Sequence, residues 1–291
     1  MFGKSTHFFV LFIFVSLTPS CSPLYSKLGG DVQGTPEALQ NQLTPLAKKL
    51  IKTAYADIDA SRLMDFHTHI LGLGNSSSGI WVNPAMQTPA NPMRYFRFRV
   101  FKNASGIYQD DKADQDYIAR LLQLIEHLPE KGRFMILGFD KHYRPDGKED
   151  LERTEFYIPN EYISSMVKKN PQIFIPMISI HPFRKDAIKK LEEWNKKGLR
   201  FIKWLPNAMG IDPSDPRLDT FYSKVKELNM AILVHVGGEG AVHTGEFEKL
   251  GNPLLLRRPL DQGVKIIMAH CASLGNNLDL DTPSNGKVDN F

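Results

Sequence analysis

The chain has 291 residues, of which 42% are hydrophobic, enough for one large domain or two ordinary ones with a substantial core. Its formal net charge is only +4, from 36 basic and 32 acidic residues, and the basic residues are spread along the sequence. This composition excludes a protein that binds nucleic acid through Lys and Arg gathered on one face.

Residues 1–21 have the pattern of an export signal. Lys4 precedes an apolar run from Phe8 to Leu17, and small residues lead to Cys21. The run is too short to span a bilayer, which needs about 20 apolar residues, and it fits a secretory leader. The ending LTPSC is similar to a bacterial lipoprotein cleavage box, in which Cys21 becomes lipidated; an ordinary cleaved leader is the alternative. We expect an exported protein, either periplasmic or anchored to a bacterial membrane through that lipid alone.

The next segment, residues 22–60, is predicted to be a tether with one short helix. Its first half is polar and contains Gly, whereas Leu46, Leu50 and Ile51 have helical spacing in its second half. The chain has only two cysteines, Cys21 and Cys271. No disulfide framework is therefore available, and the folded part depends on its core.

Beyond residue 60 the sequence alternates short apolar runs with amphipathic stretches. The runs are rich in Ile, Val, Leu, Phe and Met, and most lack strict apolar–polar alternation, as expected for parallel strands covered on both faces. They predict six strands, which lie within residues 62–69, 133–140, 172–182, 199–206, 229–238 and 263–271.

Amphipathic helices are predicted between these strands. Apolar residues recur at helical spacing within residues 114–129, 186–198 and 214–229, with Ser214 as an N-cap and Gly198 as a C-terminal stop. Repeated strand–helix units predict an α/β fold with a parallel sheet. Because no G-x-G-x-x-G follows any strand, nothing indicates an open dinucleotide-binding sheet. We predict a (β/α)8 TIM barrel, incomplete, with about six of its eight units present.

Polar side chains stand at the carboxyl ends of the predicted strands, where TIM barrels carry their chemistry. Asp65, His67 and His69 alternate along the first strand, so all three point to one side. Two imidazoles there suit zinc or a similar divalent ion, with Asp65 as a hydrogen-bond acceptor for a ring N–H. An isolated H-x-H pair is also typical of a half-exposed strand end. However, His235 and His270 end later strands in the same way.

Five segments together resemble the amidohydrolase superfamily of metal-dependent hydrolases, close to the branch that includes related decarboxylases. They are DFHTH, SIHPFRKDA, FIKWLPNAMGID, LVHVGGE and IIMAHCAS, in this order within residues 61–285. The resemblance implies that residues 61–291 are a barrel enzyme acting on a small molecule. A metal-activated water would attack the carbonyl carbon of an amide, ester or lactone. A metal-dependent decarboxylase of the same architecture is the alternative.

The resemblance also implies the metal ligands. His67 and His69 from the first strand and His235 from the fifth would hold a divalent cation, with zinc the expected metal and one or two ions in the site. His270 would either bind a second ion or act as a catalytic residue that polarises the substrate. Lys203 stands where some members carry a carboxylated lysine between two metals. An ordinary lysine paired with a carboxylate is the alternative for Lys203.

Further candidates surround this set. His181 is predicted to line the pocket, the alternative being a hydrogen bond within its own loop. Glu239 and Arg257 are candidates for contacts with a carboxylate-bearing substrate or its surroundings, although surface ion pairing is the alternative for Arg257. The segment 75–111 is predicted to form a lid or substrate loop whose aromatic residues pack it down, the alternative being that they contact the ligand. Association into a homo-oligomer is a further expectation.

One residue that the resemblance implies has no counterpart. In the family, an aspartate that ends the eighth strand touches the metal and takes a proton from the attacking water. A barrel of this kind needs about 250 residues. Asp279, Asp281 and Asp289 lie in a polar stretch and do not end an apolar run. We therefore expect a C-terminally truncated enzyme. A form completed by another chain and a non-catalytic metal-binding remnant are the alternatives.

Overall fold

The computed structural model describes residues 34–107, 109–272 and 275–290. The predicted leader with Cys21 and the first part of the predicted tether lie outside the described residues. Within the tether, two helices follow each other, and each begins with a threonine whose hydroxyl caps the helix and a proline at the first position. This is an arrangement that helix N-termini favour. The described part of the tether is therefore mostly helical.

The described residues contain ten strands and nine α-helices. The strands are β1 (Met64–His69), β2 (Trp81–Val82), β3 (Arg133–Leu137), β4 (Phe156–Tyr157), β5 (Phe174–Met177), β6 (Phe201–Trp204), β7 (Ala231–Val234), β8 (Lys265–Met268), β9 (Asn276–Leu278) and β10 (Lys287–Asp289). The helices are α1 (Pro36–Asn41), α2 (Pro45–Ala54), α3 (Pro92–Ala104), α4 (Ala113–Glu126), α5 (Asn160–Lys169), α6 (Ala187–Lys196), α7 (Pro206–Met209), α8 (Asp219–Glu227) and α9 (Arg257–Asp261).

Six parallel strands form the framework, in the order β1-β3-β5-β6-β7-β8. A bridge between Ile178 and Ile202 joins the two halves, because Lys203 N donates to the Ile178 carbonyl over 2.7 Å. Neighbours in this sheet follow each other along the chain, as in a TIM barrel, whereas a doubly wound sheet reverses its order at a switch point. The six strands are the six predicted ones. Among the described residues, no strand joins β1 to β8, and the barrel is not closed.

Alternating side chains on these strands build two separate cores. Met135 and Leu137 face the inside of the curved sheet with Met177 and Leu233, whereas Ile136 faces the helices that cover the outside. The period of two along a strand produces this division. The inner residues form the floor beneath the carboxyl ends of the strands, which fixes where a site can form.

The two segments predicted to be irregular contain secondary structure. Residues 75–111 include β2, which pairs antiparallel with β4, and the helix α3. Residues 276–289 form the antiparallel hairpin β9–β10, whose turn is held by the Asp279 carboxylate accepting from the backbone N–H of Asp281 and Thr282. In the described part of the chain, no helix has both the length and the apolar character needed to cross a membrane.

Candidate active site

Five predicted ligands converge at the carboxyl ends of four strands. His67 and His69 end β1, Lys203 lies on β6, and His235 and His270 follow β7 and β8. All five line one cavity of about 410 Å³. Because parallel strands of a barrel end at the same rim, residues more than 200 positions apart in the sequence meet there.

The ring nitrogens within this cluster lie close together. Nε2 of His67 and Nε2 of His69 are 3.2 Å apart, and Nζ of Lys203 lies 3.1 Å from the same Nε2 of His67. On the other side, Nε2 of His270 lies 3.1 Å from Nδ1 of His235. The rings of His67 and His270 stack with their centroids 6.0 Å apart, which links the two halves of the cluster.

The surroundings keep the imidazoles uncharged at neutral pH. Burial, followed by repulsion from Lys203 and His270, lowers the pKa of His67 to about 4. Burial and the same lysine lower the pKa of His235 to about 3. An uncharged imidazole offers a nitrogen lone pair, which is the form that binds a metal ion.

Lys203 is the most deeply placed member of the cluster, with only 1% of its surface exposed. Burial lowers its pKa to about 7, and the charge of Glu239 opposes this effect. No carboxylate of the described residues lies within ion-pairing distance of its Nζ. The expected alternative, a lysine paired with a carboxylate, is therefore not what the structure contains.

The residue types fit a divalent metal, although the side chains do not enclose one as they stand. A tetrahedral zinc ion with Zn–N bonds of about 2.0–2.1 Å separates two nitrogens by roughly 3.3 Å, close to the distance between Nε2 of His67 and Nε2 of His69. Nε2 of His235 is buried and has no hydrogen-bond partner among the described residues. Among the described residues, however, no three His, Cys, Asp or Glu side chains are grouped so that they could hold a metal ion.

Glu239 contributes a carboxylate to the cavity. Its Oε1 accepts from the backbone N–H of Ala241 and Val242, and its Oε2 lies 3.6 Å from Nε2 of His235. Burial raises the pKa of this carboxyl, and the two N–H donors oppose the rise. Of the described residues that line the cavity, Glu239 is the only acidic one.

Three residues that the sequence predicted for the site do not line the cavity. Asp65 accepts from the backbone N–H of His67 over 2.8 Å, whereas the prediction placed it on a ring N–H. His181 is fully buried and does not line the cavity, because its ring nitrogens contact the Met209 carbonyl and the Phe183 N–H within its surroundings. Arg257 forms a two-bond ion pair with Asp281 at the surface.

The cavity walls come partly from the segment predicted to form a lid or substrate loop and partly from residues that the sequence did not single out. Helix α3 contributes Phe98, Phe101 and Lys102, and the loop after β1 contributes residues 70–73. The buried carboxylate of Asp114 holds this loop, accepting from the backbone N–H of Leu73 and Gly74 and from two serine hydroxyls. These contacts join residues that lie 36–41 positions apart, so no local sequence pattern could have predicted them.

A model of the family described as Amidohydrolase matches residues 65–280, which is most of the chain and includes the whole histidine cluster. The chain belongs to the amidohydrolase family. No curated protein gives a significant match to this amidohydrolase. A crystal structure of an uncharacterized TIM-barrel protein from Bordetella bronchiseptica is similar to it, with 17% sequence identity and a TM-score of 0.48. The similarity covers 72% of this chain and 67% of that chain.

Family membership agrees with the strand order, and together they support a TIM-barrel type of fold. In this amidohydrolase the segment that matches the family model begins at Asp65, directly before the two histidines that end β1. It ends beyond His270, within the residues that follow β8. The match to the family model therefore includes the strands that carry the histidine cluster.

Proposed function

We propose that this amidohydrolase is a metal-dependent hydrolase that attacks the carbonyl carbon of an ester, amide or lactone. The observation that carries the proposal is the convergence of His67, His69, Lys203, His235 and His270 on one cavity. The low pKa values of His67 and His235 support the same conclusion, because both rings are in the metal-binding form at neutral pH.

His67 and His69 would hold the cation, and His235 would join them through its unpartnered Nε2. A divalent cation bound by these residues supplies a water of lowered pKa and polarises a carbonyl group. The site leaves a role for His270 as well. Its ring is more exposed than that of His235 and borders the cavity. Because its Nε2 faces Nδ1 of His235, its other ring nitrogen can donate a hydrogen bond to the substrate carbonyl oxygen.

Glu239 is the candidate for accepting the proton of the attacking water. Its Oε1 is fixed by two backbone N–H groups, which leaves Oε2 directed at the histidine cluster. The raised pKa of this carboxyl makes it a better proton acceptor than an exposed glutamate. In this proposal Glu239, which follows β7, has the role that the family resemblance assigns to an aspartate at the end of an eighth strand.

The proposal is tested by measuring metal content together with hydrolysis. Purified protein is saturated with Zn²⁺, desalted and analysed for bound metal, and hydrolysis of p-nitrophenyl acetate is followed with and without a chelator. We expect bound zinc and chelator-sensitive hydrolysis in the natural chain. His67→Ala and His69→Ala should each lower zinc affinity at least tenfold. His127→Ala, which removes an exposed histidine, is the matched control.

Two outcomes would contradict the proposal. If zinc binds equally well to the natural chain and to His67→Ala, the cluster is not the metal site. If zinc binds and depends on His67 but no hydrolysis follows, the chain is a metal-binding protein without hydrolase activity. Glu239→Gln separates the roles further, because it should lower kcat at least tenfold and leave bound zinc unchanged.

A further inference from the structure

Beyond the histidines, the cavity has apolar walls. Met86, Phe98, Phe101, Ile107, Phe139 and Phe156 line it, from four different segments of the chain. Most polar lining residues belong to the histidine cluster or adjoin it. A pocket of this kind binds ligands chiefly by removing apolar surface from water, and its few polar groups set the orientation.

Outside the cluster of Lys203 and the histidines, the charges at the cavity do not match an anionic ligand. Lys102 is the only lining cation outside the cluster among the described residues, and its Nζ forms an ion pair with Asp110. Arg257, which the sequence suggested for a substrate carboxylate, lies at the surface with Asp281. The nearest acidic group, Glu239, would repel a carboxylate. The apolar region of the cavity is therefore suited to an uncharged group.

The volume indicates how much of such a group the cavity can cover. At about 30 Å³ for each water-sized unit of liquid volume, a cavity of 410 Å³ accommodates roughly a dozen non-hydrogen atoms. The mouth of the cavity includes Phe101, whose surface is 43% exposed although the same residue lines the interior. A ligand therefore enters past an aromatic side chain of α3.

We infer that the substrate is an uncharged ester, amide or lactone with an apolar body of about a dozen non-hydrogen atoms, bound with its carbonyl at the histidine cluster and its body against α3. This inference rests on the proposed function for the position of the carbonyl. The specificity itself comes from the apolar walls and from the absence of an unpaired cation among the described lining residues outside the cluster that contains Lys203.

Binding measurements test the inference without requiring catalysis. The full chain is titrated with straight-chain methyl ketones from 2-butanone to 2-decanone, and binding is measured by isothermal titration calorimetry. Each methylene that enters the cavity should tighten binding about fourfold, which corresponds to about 0.8 kcal/mol. Decanoate, which carries a carboxylate on a chain of similar length, should bind at least tenfold more weakly than 2-decanone.

Two variants of α3 locate the binding to this cavity. Phe101→Asp introduces a charge into the apolar wall at a position exposed enough to tolerate it, and it should weaken 2-decanone binding at least tenfold. Met93→Asp makes the same change on the same helix, at a side chain that is 75% exposed and does not line the cavity. It should leave binding unchanged.

The inference is overturned if ketone affinity does not increase with chain length, if decanoate binds as well as 2-decanone, or if both variants weaken binding equally. A different result identifies failure of the proposed function. If the ketones bind as expected but p-nitrophenyl hexanoate is not hydrolysed in the presence of Zn²⁺, the cavity binds apolar carbonyl compounds and the hydrolase assignment is wrong.

Discussion

Nζ of Lys203 and Nε2 of His67 lie 3.1 Å apart, although one residue belongs to β6 and the other to β1. The lysine reaches this position with its whole side chain buried, and no carboxylate of the described residues pairs with it. Burying an unpaired ammonium group is costly, and this is the reason for its low pKa. The buried lysine therefore lowers the stability of the fold and places an amine inside the site.

Lys203→Met should stabilise the fold and impair the site. Methionine has a similar volume and no charge, so we expect the free energy of unfolding to rise by about 1–4 kcal/mol in urea denaturation. The pKa of His67 should rise from about 4 and remain below 6.5, because burial persists when the neighbouring charge is removed. Titration of the histidine ring signals by NMR measures this change. Lys189→Met, at a largely exposed side chain, is the control and should change neither quantity.

Asp114→Asn should loosen the loop that follows β1. The carboxylate accepts two backbone and two serine hydrogen bonds, and these lower its pKa although burial acts in the opposite direction. Hydrogen bonds to a charged group contribute about 1.5–3 kcal/mol each, so the free energy of unfolding should fall by at least that amount. Because residues 70–73 line the cavity, ligand affinity should fall too. Asp111→Asn, at an exposed position one turn earlier, should have no effect on either measurement.

Arg257→Gln tests whether this arginine contributes to substrate binding. Its guanidinium donates two hydrogen bonds to the Asp281 carboxylate and does not line the cavity. We expect kcat/KM for ester hydrolysis to stay within twofold of the natural value. A selective loss of activity toward substrates that carry a carboxylate would show instead that Arg257 reaches the ligand during turnover.

The sequence was sufficient to predict the six parallel strands of the framework and, with the family resemblance, the histidine cluster. Each strand is a short apolar run, and the run ends at the residue that faces the rim, so position in the run also predicts position in the fold. His67, His69, His235 and His270 all follow this rule. Family resemblance then grouped them, because a single strand end does not reveal which other strand ends lie beside it.

The residues that sequence reasoning misplaced share a physical cause. His181 also ends an apolar run, but its ring is turned away from the cavity by contacts with Phe183 and Met209. Arg257 pairs with an aspartate 24 positions away, and an unpaired arginine would look identical in the sequence. Conversely, Asp114 is the first charged residue of a predicted helix, and its role in holding a distant loop depends on tertiary contacts.

His181 also makes the stability of the fold depend on pH. Burial lowers its pKa to about 3, whereas in the unfolded chain the pKa is near 6.5, so the unfolded state binds a proton that the folded state does not. As the pH falls below about 6.5, each such histidine reduces the free energy of unfolding by about 1.4 kcal/mol per pH unit, until the pH approaches 3. His181→Gln should therefore reduce the slope of unfolding free energy against pH, measured in urea between pH 6.5 and 4.5, by about that amount. His127→Gln removes an exposed imidazole and should retain the natural slope. If His181→Gln also retained it, the buried ring would not be the proton-linked group.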